Sequence, residues 1–289
     1  MSQVVVIGAG AVGACCALAL LADGHDVTVV EPGMPGGDQA ASFGNGGWIS
    51  TASVVPMSMP GLWKRIPGYL LDTDGPLVIR PGALPGLAPW LWRFVAAGRR
   101  IAQVEATSRA LAALLCDAPA RHAALAKAAG LEPLIVQAGL TYVYPSREAF
   151  EAEALAWRLR ADQRVAWTEL DADAVQHHTP GLSDAYRFGI EVASGGHCRD
   201  PGAYVAGLVA LACARGAHRL AAHATALAIE QGRLKAVRTS RGDLSADAVV
   251  ISAGIDSAAL ARQAGNRIPL ESERRRVDAS ADDHRVRIH

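Results

Sequence analysis

VVVIGAGAVGACCALALLADGHDVTVVE, residues 4–31, is the stretch whose reading decides the fold. Residues 4–7 form a short apolar run that reads as a buried strand, followed at once by Gly8, Gly10 and Gly13 in the order G-x-G-x-x-G. A helix comes next, carrying Val12, Cys16, Leu18, Ala19 and Leu21 and stopped by Gly24, and residues 27–30 give a second valine-rich strand. The pattern is a βαβ unit with an acid, Glu31, at the tip of its second strand. Each glycine has its own task in such a unit: Gly8 allows the tight turn, Gly10 lets the backbone approach a pyrophosphate, and Gly13 lets the helix pack on the strand. The helix N-terminus presents N–H groups and a positive dipole end to phosphates. Glu31 stands where a carboxylate accepts hydrogen bonds from ribose hydroxyls and repels a 2′-phosphate, which disfavours NADP. Strand, loop, helix, strand and acid in this order specify a dinucleotide better than the glycines alone, but they do not separate FAD from NAD.

At 289 residues the chain has room for one large or two moderate domains. Hydrophobic residues at 51% and charged residues at 19% make it globular. Lys+Arg 28 balance Asp+Glu 28, so no net charge draws it to nucleic acid or an anionic membrane. Five cysteines (Cys15, Cys16, Cys116, Cys198 and Cys213) lack metal-ligand or C-x-x-C spacing and read as reduced and structural, with no metal site. The first strand begins so early that no signal peptide is expected, and no apolar run reaches spanning length. The expectation is a cytoplasmic protein, with peripheral association at the inner membrane left open.

After Glu31 the chain does not proceed directly to a second helix and a third parallel strand. Residues 32–60 are rich in glycine, serine, asparagine and proline and include ASFGNGGWIS at 41–50, which reads as a ligand-holding loop in preference to an ordinary surface loop. Residues 81–91 read as a proline-rich turn region, with Trp90 and Trp92 as packing anchors. Residues 91–130 read as two helices broken near Pro119 and ended by Gly130, with Val104, Leu111, Leu114 and Leu115 on one face. Strands are expected at 140–144, 165–167 and 188–192, and helices at 147–160 and 169–175, the second stopped by Thr179-Pro180-Gly181. Asp200 and Pro201 read as N-cap and first helical residue of a helix over 202–214, which accounts for both; His197 just before them faces a substrate only on a weaker reading. Residues 224–230 and 234–240 form a hairpin around Gln231-Gly232-Arg233, and DAVVIS at 247–252 is a buried strand leading through Ala253-Gly254 to a helix near Ser257.

Taken together, VVVIGAGAVG…VTVVE, ASFGNGGWIS, the TPGL turn, GGHCRDPGAYVAGL and ADAVVISAGIDSAAL resemble the FAD-dependent oxidoreductases of the D-amino acid oxidase superfamily, most of all the bacterial D-amino acid dehydrogenase small-subunit group. The resemblance implies an α/β fold: a Rossmann-like FAD-binding domain split in sequence (1–80 and 200–273) around an inserted α+β substrate region (81–199). It implies that Gly8, Ala9, Gly10, Ala11, Val12 and Gly13 hold the pyrophosphate of FAD, and that Glu31, flanked by Val30 and Pro32, holds the adenosine ribose. Ser42, Asn45, Gly46 and Gly47 would line the path to the isoalloxazine, Ala226 would touch the adenine side, and Ala253 and Gly254 would close over the phosphates. The implied reaction is oxidation of a D-amino acid, or of a secondary amine such as D-hydroxyproline, by hydride transfer to flavin N5. Electrons would then pass to a quinone or another acceptor. No catalytic side chain is assigned. An inactive remnant that at most binds a dinucleotide, and an NAD-dependent dehydrogenase, are the competing readings. Because relatives continue beyond this length, the resemblance also implies a C-terminally incomplete chain. Its residues 274–289, arginine, aspartate and histidine without apolar period, would then be a disordered tail outside the family pattern.

Overall fold

The computed structural model describes residues 1–64, 66, 84–268 and 270. The stretch expected to be a tail, 274–289, lies outside the described residues. The chain divides into two units, Met1–Gly44 with Val205 onward, and Asn45–Tyr204.

The first unit begins with β1 (Gln3–Ile7), α1 (Ala11–Ala22) and β2 (Asp26–Val30). Val4, Val5, Val6 and Ile7 are all nearly inaccessible, as expected of a strand covered on both faces of a parallel sheet. β1 and β2 pair in parallel with Ile7 opposite Val30, so Gly8 and Glu31 leave the sheet at the same edge.

The second unit contains β3 (Trp48–Ser50), three helices α2 (Leu84–Ala97), α3 (Ile101–Leu115) and α4 (Ala118–Ala129), then β4 (Ile135–Val136) and β5 (Leu140–Tyr144). It continues with α5 (Arg147–Glu151), α6 (Ala154–Asp162), β6 (Thr168–Leu170), α7 (Ala172–His178), β7 (Phe188–Val192) and β8 (Gly195–Cys198). Two antiparallel sheets result, in the orders β3-β8-β4 and β5-β7-β6. Tyr144, Trp157, Phe188 and Ile190 form the core behind β5-β7-β6, with Tyr142, Phe150 and Trp167 packed against them. The Tyr144 hydroxyl donates to Glu153 Oε2 (2.9 Å) and accepts from Trp157 Nε1 (3.0 Å). Beside it the Arg160 guanidinium lies 4.4 Å from the Trp157 ring centroid and donates through Nε to the Ala52 carbonyl (3.2 Å).

Helix α8 (Pro201–Ala214) leads back into the first unit, and Asp200 caps it as expected, its Oδ1 accepting from the Ala203 N–H at 2.8 Å. There follow β9 (His218–Leu220), the meander β10 (Ala224–Glu230), β11 (Arg233–Thr239) and β12 (Gly242–Ser245), then β13 (Ala248–Ile251) and α9 (Ser257–Gln263). The β10–β11 turn places Gln231 at φ 50° and Gly232 at φ 75°, the double left-handed pair of a two-residue hairpin. β13 returns to the far side of β1, pairing in parallel with Val4 opposite Ala248 and Ile7 opposite Ile251, so the sheet order is β13-β1-β2-β9. Val5, Ile7 and Val30 face a core shared with Leu227, Val237 and Leu260 of the meander and α9. By strand alternation, Val4 and Val6 face the other side, where α1 packs.

Several local expectations are corrected. From Leu84 onward the proline-rich turn is a helix: Pro85 falls in its first turn, where an N–H is dispensable, and Pro89 forfeits a single bond. Trp90 and Trp92 are exposed, not anchors. The stretch to Gly130 holds α3 and α4 after α2; Val104 is buried, but Leu114 is 75% exposed. Residues 147–160 make two helices with a break at Ala152 and Glu153, where Glu153 turns to the Tyr144 hydroxyl. The strand expected at 165–167 lies at 168–170, because β7 pairs with Thr168 to Leu170 while Val165 and Trp167 fill the aromatic core. Glu169 and Leu170 therefore belong to a strand, and Asp171, accepting from the Ala174 N–H at 2.9 Å, starts the helix at Ala172. Within 32–60, Trp48–Ser50 is a strand on β8.

Burial, reinforced by the Glu153 carboxylate, pushes the Tyr144 phenol up to about 12, against the lowering pull of Trp157 N–H and Arg160. A folded-state value above the ordinary 10 means that the stabilisation is complete below pH 10 and is lost as pH rises toward 12. Alkaline denaturation followed by far-UV circular dichroism should therefore show a fall in stability across that window. Tyr144→Phe should flatten it.

Candidate dinucleotide site

The first unit gathers its site where the carboxyl ends of β1, β2 and β13 meet. β1 has β2 on one side and β13 on the other, so the crevice between β1 and β13 is the point where chain direction around the sheet reverses. Open parallel sheets bind ligands there. Gly8, at φ 98°, turns the chain out of β1, and its N–H donates to the Val30 carbonyl at 2.9 Å. A Cβ on Gly8 would stand 2.8 Å from the Ser252 carbonyl carbon and 3.0 Å from Ala253 Cα, so Ala253 passes directly over this turn. A Cβ on Gly13 would overlap the Gly8 carbonyl oxygen and lie 2.8 Å from Ser252 Oγ. The two glycines therefore serve contacts of the chain with itself.

Gly10 differs. It is the N-cap of α1 at φ −71°, which any residue adopts, and the nearest atom to an added Cβ is Ser42 Oγ at an ordinary 3.4 Å. Nothing in the protein itself requires a glycine here. What a side chain would fill is the space in front of the helix N-terminus. Around that space Ala11 N–H donates to Ser42 Oγ (3.1 Å) and Ala9 N–H donates to Glu31 Oε2 (2.9 Å), while Val12 is 66% exposed at the lip. The cradle, the helix dipole and the backbone amides fit a pyrophosphate.

Glu31 is buried, and its other oxygen, Oε1, accepts from the Gly33 N–H at 3.2 Å. A carboxylate has about four lone-pair sites, so these two bonds leave it capacity to accept further hydrogen bonds, as the hydroxyls of a ribose would require. Pro32 is exposed beside it, and the following turn is held by Arg219, which donates to the Gly33 carbonyl at 2.7 Å. Arg219 escaped the sequence reading, because β9 is a three-residue edge strand with no alternation to read. Ser252 escaped it too, although it ends the DAVVIS run: its hydroxyl lies 2.8 Å from the Ile7 carbonyl and 3.2 Å from that of Gly8. Gly254, at φ 56°, opens a turn of 3-10 helix ahead of α9. Ala226 sits at a bulge of β10, next to Leu227, which packs with Ile7 and Val30.

Asn45, Gly46 and Gly47 belong to the second unit. Asn45 Oδ1 accepts from the Gly47 N–H (2.8 Å), and the Gly47 carbonyl accepts from the Cys198 N–H (2.7 Å), so the glycine-rich segment is knitted to β8. Burial pushes the Cys198 thiol up, and burial first, then Cys16, does the same to Cys15; both stay protonated and unreactive at neutral pH. Among the described residues no group of three potential ligands could hold a metal, and no helix is long and apolar enough to cross a membrane.

A family model described as DAO, FAD dependent oxidoreductase, matches residues 3–281. A D-amino-acid oxidase of Bradyrhizobium diazoefficiens is 48% identical over 272 residues, which cover 94% of this chain and 64% of that protein. D-amino acid dehydrogenase 2 of Ralstonia nicotianae is 35% identical over 268 residues, 89% of this chain and 61% of its own length. Among solved structures, glycine oxidase from Geobacillus kaustophilus superposes with a TM-score of 0.61 at 19% identity, covering 92% of this chain and 59% of its own. L-amino acid deaminase from Proteus vulgaris does so at 0.62 and 14%, covering 93% and 51%. These two likenesses are of fold. The chain spans less than two thirds of the length of the curated relatives it matches.

The three glycines should separate cleanly in a denaturation series. Gly13→Ala, which forces the helix off the β1 turn, should lose several kcal/mol, on the order of 3 or more, as overpacked backbone contacts do. Gly10→Ala should lose no more than about 1 kcal/mol, the scale of an N-cap exchange. Equal losses in the two variants would contradict the geometry.

Proposed function

The chain belongs to the FAD-dependent oxidoreductase family, and from that premise we propose that it holds FAD along β1, α1 and β2 and serves the oxidation of D-amino acids. The observation that carries the reading is the cradle at Gly10, a glycine that no contact within the protein demands, set between a helix N-terminus and a buried ribose-facing carboxylate. The 48% identity to a D-amino-acid oxidase supports the substrate class.

In this reading the N–H groups of Val12 and Gly13 at the start of α1 take the pyrophosphate, while Ala9 and Ala11 line the turn with their own N–H groups held by Glu31 and Ser42. Ser42 orders the first turn of the helix through Ala11. Glu31 takes the adenosine ribose with the lone pairs left by Ala9 and Gly33, and its negative charge rejects a 2′-phosphate. Ser252 and Ala253 hold the Gly8 turn rigid, so the amide array is set before any ligand arrives. FAD held by these residues would supply the redox chemistry, two-electron oxidation of an amine to an imine whose hydrolysis gives a keto acid and ammonia. A secondary amine such as D-hydroxyproline is the nearest alternative substrate, and a quinone is one candidate for the final electron acceptor.

Purified protein should carry a flavin spectrum that bleaches anaerobically with D-amino acids and not with their L-enantiomers. Gly10→Ala should lower FAD affinity about tenfold or more while its circular dichroism stays that of the parent. A colourless chain that binds NAD tightly would overturn the flavin assignment. Retained flavin that no D-amino acid or cyclic D-imino acid reduces would overturn the substrate assignment alone.

A further inference from the structure

The carboxylate at the tip of β2 is held on one oxygen by a rigid element and on the other by a loop. Glu31 Oε2 accepts from Ala9, whose N–H belongs to the turn packed under Ser252 and Ala253, whereas Oε1 accepts from Gly33, in a stretch that forms no helix or strand before β3. Glycine has the widest backbone freedom of any residue, so a bond donated by a loop glycine is the weaker half of this arrangement. Its length, 3.2 Å against 2.9 Å for Ala9, agrees.

The loop is nevertheless built to keep that N–H in place. An added Cβ on Gly33 would stand 2.6 Å from Gln39 Cδ, and one on Gly37 would overlap Gln39 Oε1, so the Gln39 amide fills the space between two glycines. Its Nε2 donates to the Met34 carbonyl at 2.6 Å, and that carbonyl also accepts from the Gly37 N–H at 3.0 Å. From the other side Arg219 Nη2 donates to the Gly33 carbonyl at 2.7 Å and lies 3.9 Å from the Met34 sulfur. Arg219 stands on β9 opposite Val29 in the parallel register, and the next residue, Leu220, accepts from the Glu31 N–H at 3.1 Å. Two successive residues of one strand thus anchor the main chain of Glu31 and of Gly33, the pair joined by the bond to Oε1.

We infer that Arg219 is a positioning residue for Glu31. Holding the Gly33 carbonyl fixes the Gly33 N–H on Oε1, and with both oxygens fixed the carboxylate presents its remaining lone pairs in one direction, toward the 2′-hydroxyl of a ribose. Selection of a ribonucleotide over its 2′-deoxy counterpart then depends on a residue that acts only by way of Glu31. The inference rests on the proposal that this site takes the adenosine end of a dinucleotide. A direct pull of the Arg219 charge on the diphosphate is the alternative, and it predicts a different outcome, because a charge acts on ribonucleotides and deoxynucleotides alike.

Displacement of FAD from the full chain by ADP and by 2′-deoxy-ADP, followed by flavin fluorescence, tests it. The ratio of the two half-displacing concentrations is independent of how tightly each variant holds FAD. The parent should need about tenfold more of the deoxynucleotide, the scale of one hydrogen bond to a charged acceptor. Arg219→Gln should reduce the ratio to about threefold or less at unchanged circular dichroism, while Arg233→Gln, at the exposed start of β11, should equal the parent. In a Glu31→Gln background, where the ratio is already small, adding Arg219→Gln should change nothing further. Equal weakening of both nucleotides by Arg219→Gln, with the parental ratio kept, would overturn the inference and leave the dinucleotide reading intact. A parent that takes up no FAD would overturn the reading of the site, and one that takes it up without distinguishing the two nucleotides would overturn the ribose role of Glu31; either result removes this inference as well.

Discussion

The first unit depends on a backbone crossing. At the carboxyl edge of the sheet three segments meet, two of them at glycines with no room for a side chain: the Gly8 turn, the first turn of α1 at Gly13, and the Ser252-Ala253 link between β13 and α9. Ser252 ties the first and third together by sharing its hydroxyl between the carbonyls of Ile7 and Gly8. Because backbone packs on backbone, with the short Ser252 side chain bonded into the contact, the position of the α1 N-terminus relative to β1 is held closely. That is the property a phosphate-binding turn needs: amides that point correctly without reorganisation when charge arrives.

The same constraint explains why so distant a stretch of chain belongs to this sheet. β1 obtains one neighbour from residues 26–30 and the other from residues 248–251, with an entire second unit in between. Parallel strands need a crossover, and nothing limits its length so long as the returning strand meets the exposed edge of β1. The crevice beside β1 is therefore created only when β13 arrives. The residue that closes the contact, Ser252, is the first after it.

Legibility in the sequence followed the strength of local pattern. β1, α1, β2 and β13 are short apolar runs punctuated by glycine, and the β10–β11 hairpin carries its turn chemistry in Gln231 and Gly232, so all could be placed by inspection. Glu31 was legible because a lone acid at the tip of a buried strand is conspicuous. Its bonds to Ala9 and Gly33 were not, since they join residues whose proximity exists only after the loop has closed. β3, β8 and β9 were missed because strands of three or four residues exist by virtue of their partners: Trp48 to Ser50 extends only because Gly195 to His197 lies alongside. The shift from 165–167 to 168–170 has the same origin, register chosen by β7 and not by local propensity. α2 was misread for the opposite reason, its prolines being weighted as breakers although one of them falls in the first turn.

Glycines in a G-x-G-x-x-G turn are usually treated as one signal, but here they fall into two physical classes. For Gly8 and Gly13 the chain itself supplies the reason: a left-handed φ and a colliding carbonyl in one case, the neighbouring turn in the other. An unliganded protein would need both. Gly10 has an ordinary backbone conformation and free space where its side chain would be. At an N-cap, where serine, threonine or aspartate would hold the helix end better, glycine forgoes a capping hydrogen bond and leaves amides unsatisfied. Such an arrangement leaves the helix N-terminus open to acceptors from outside the chain, water or an anion, and lets them approach closely. Gly10 is thus the one glycine of the three whose identity the contacts of the first unit leave unexplained.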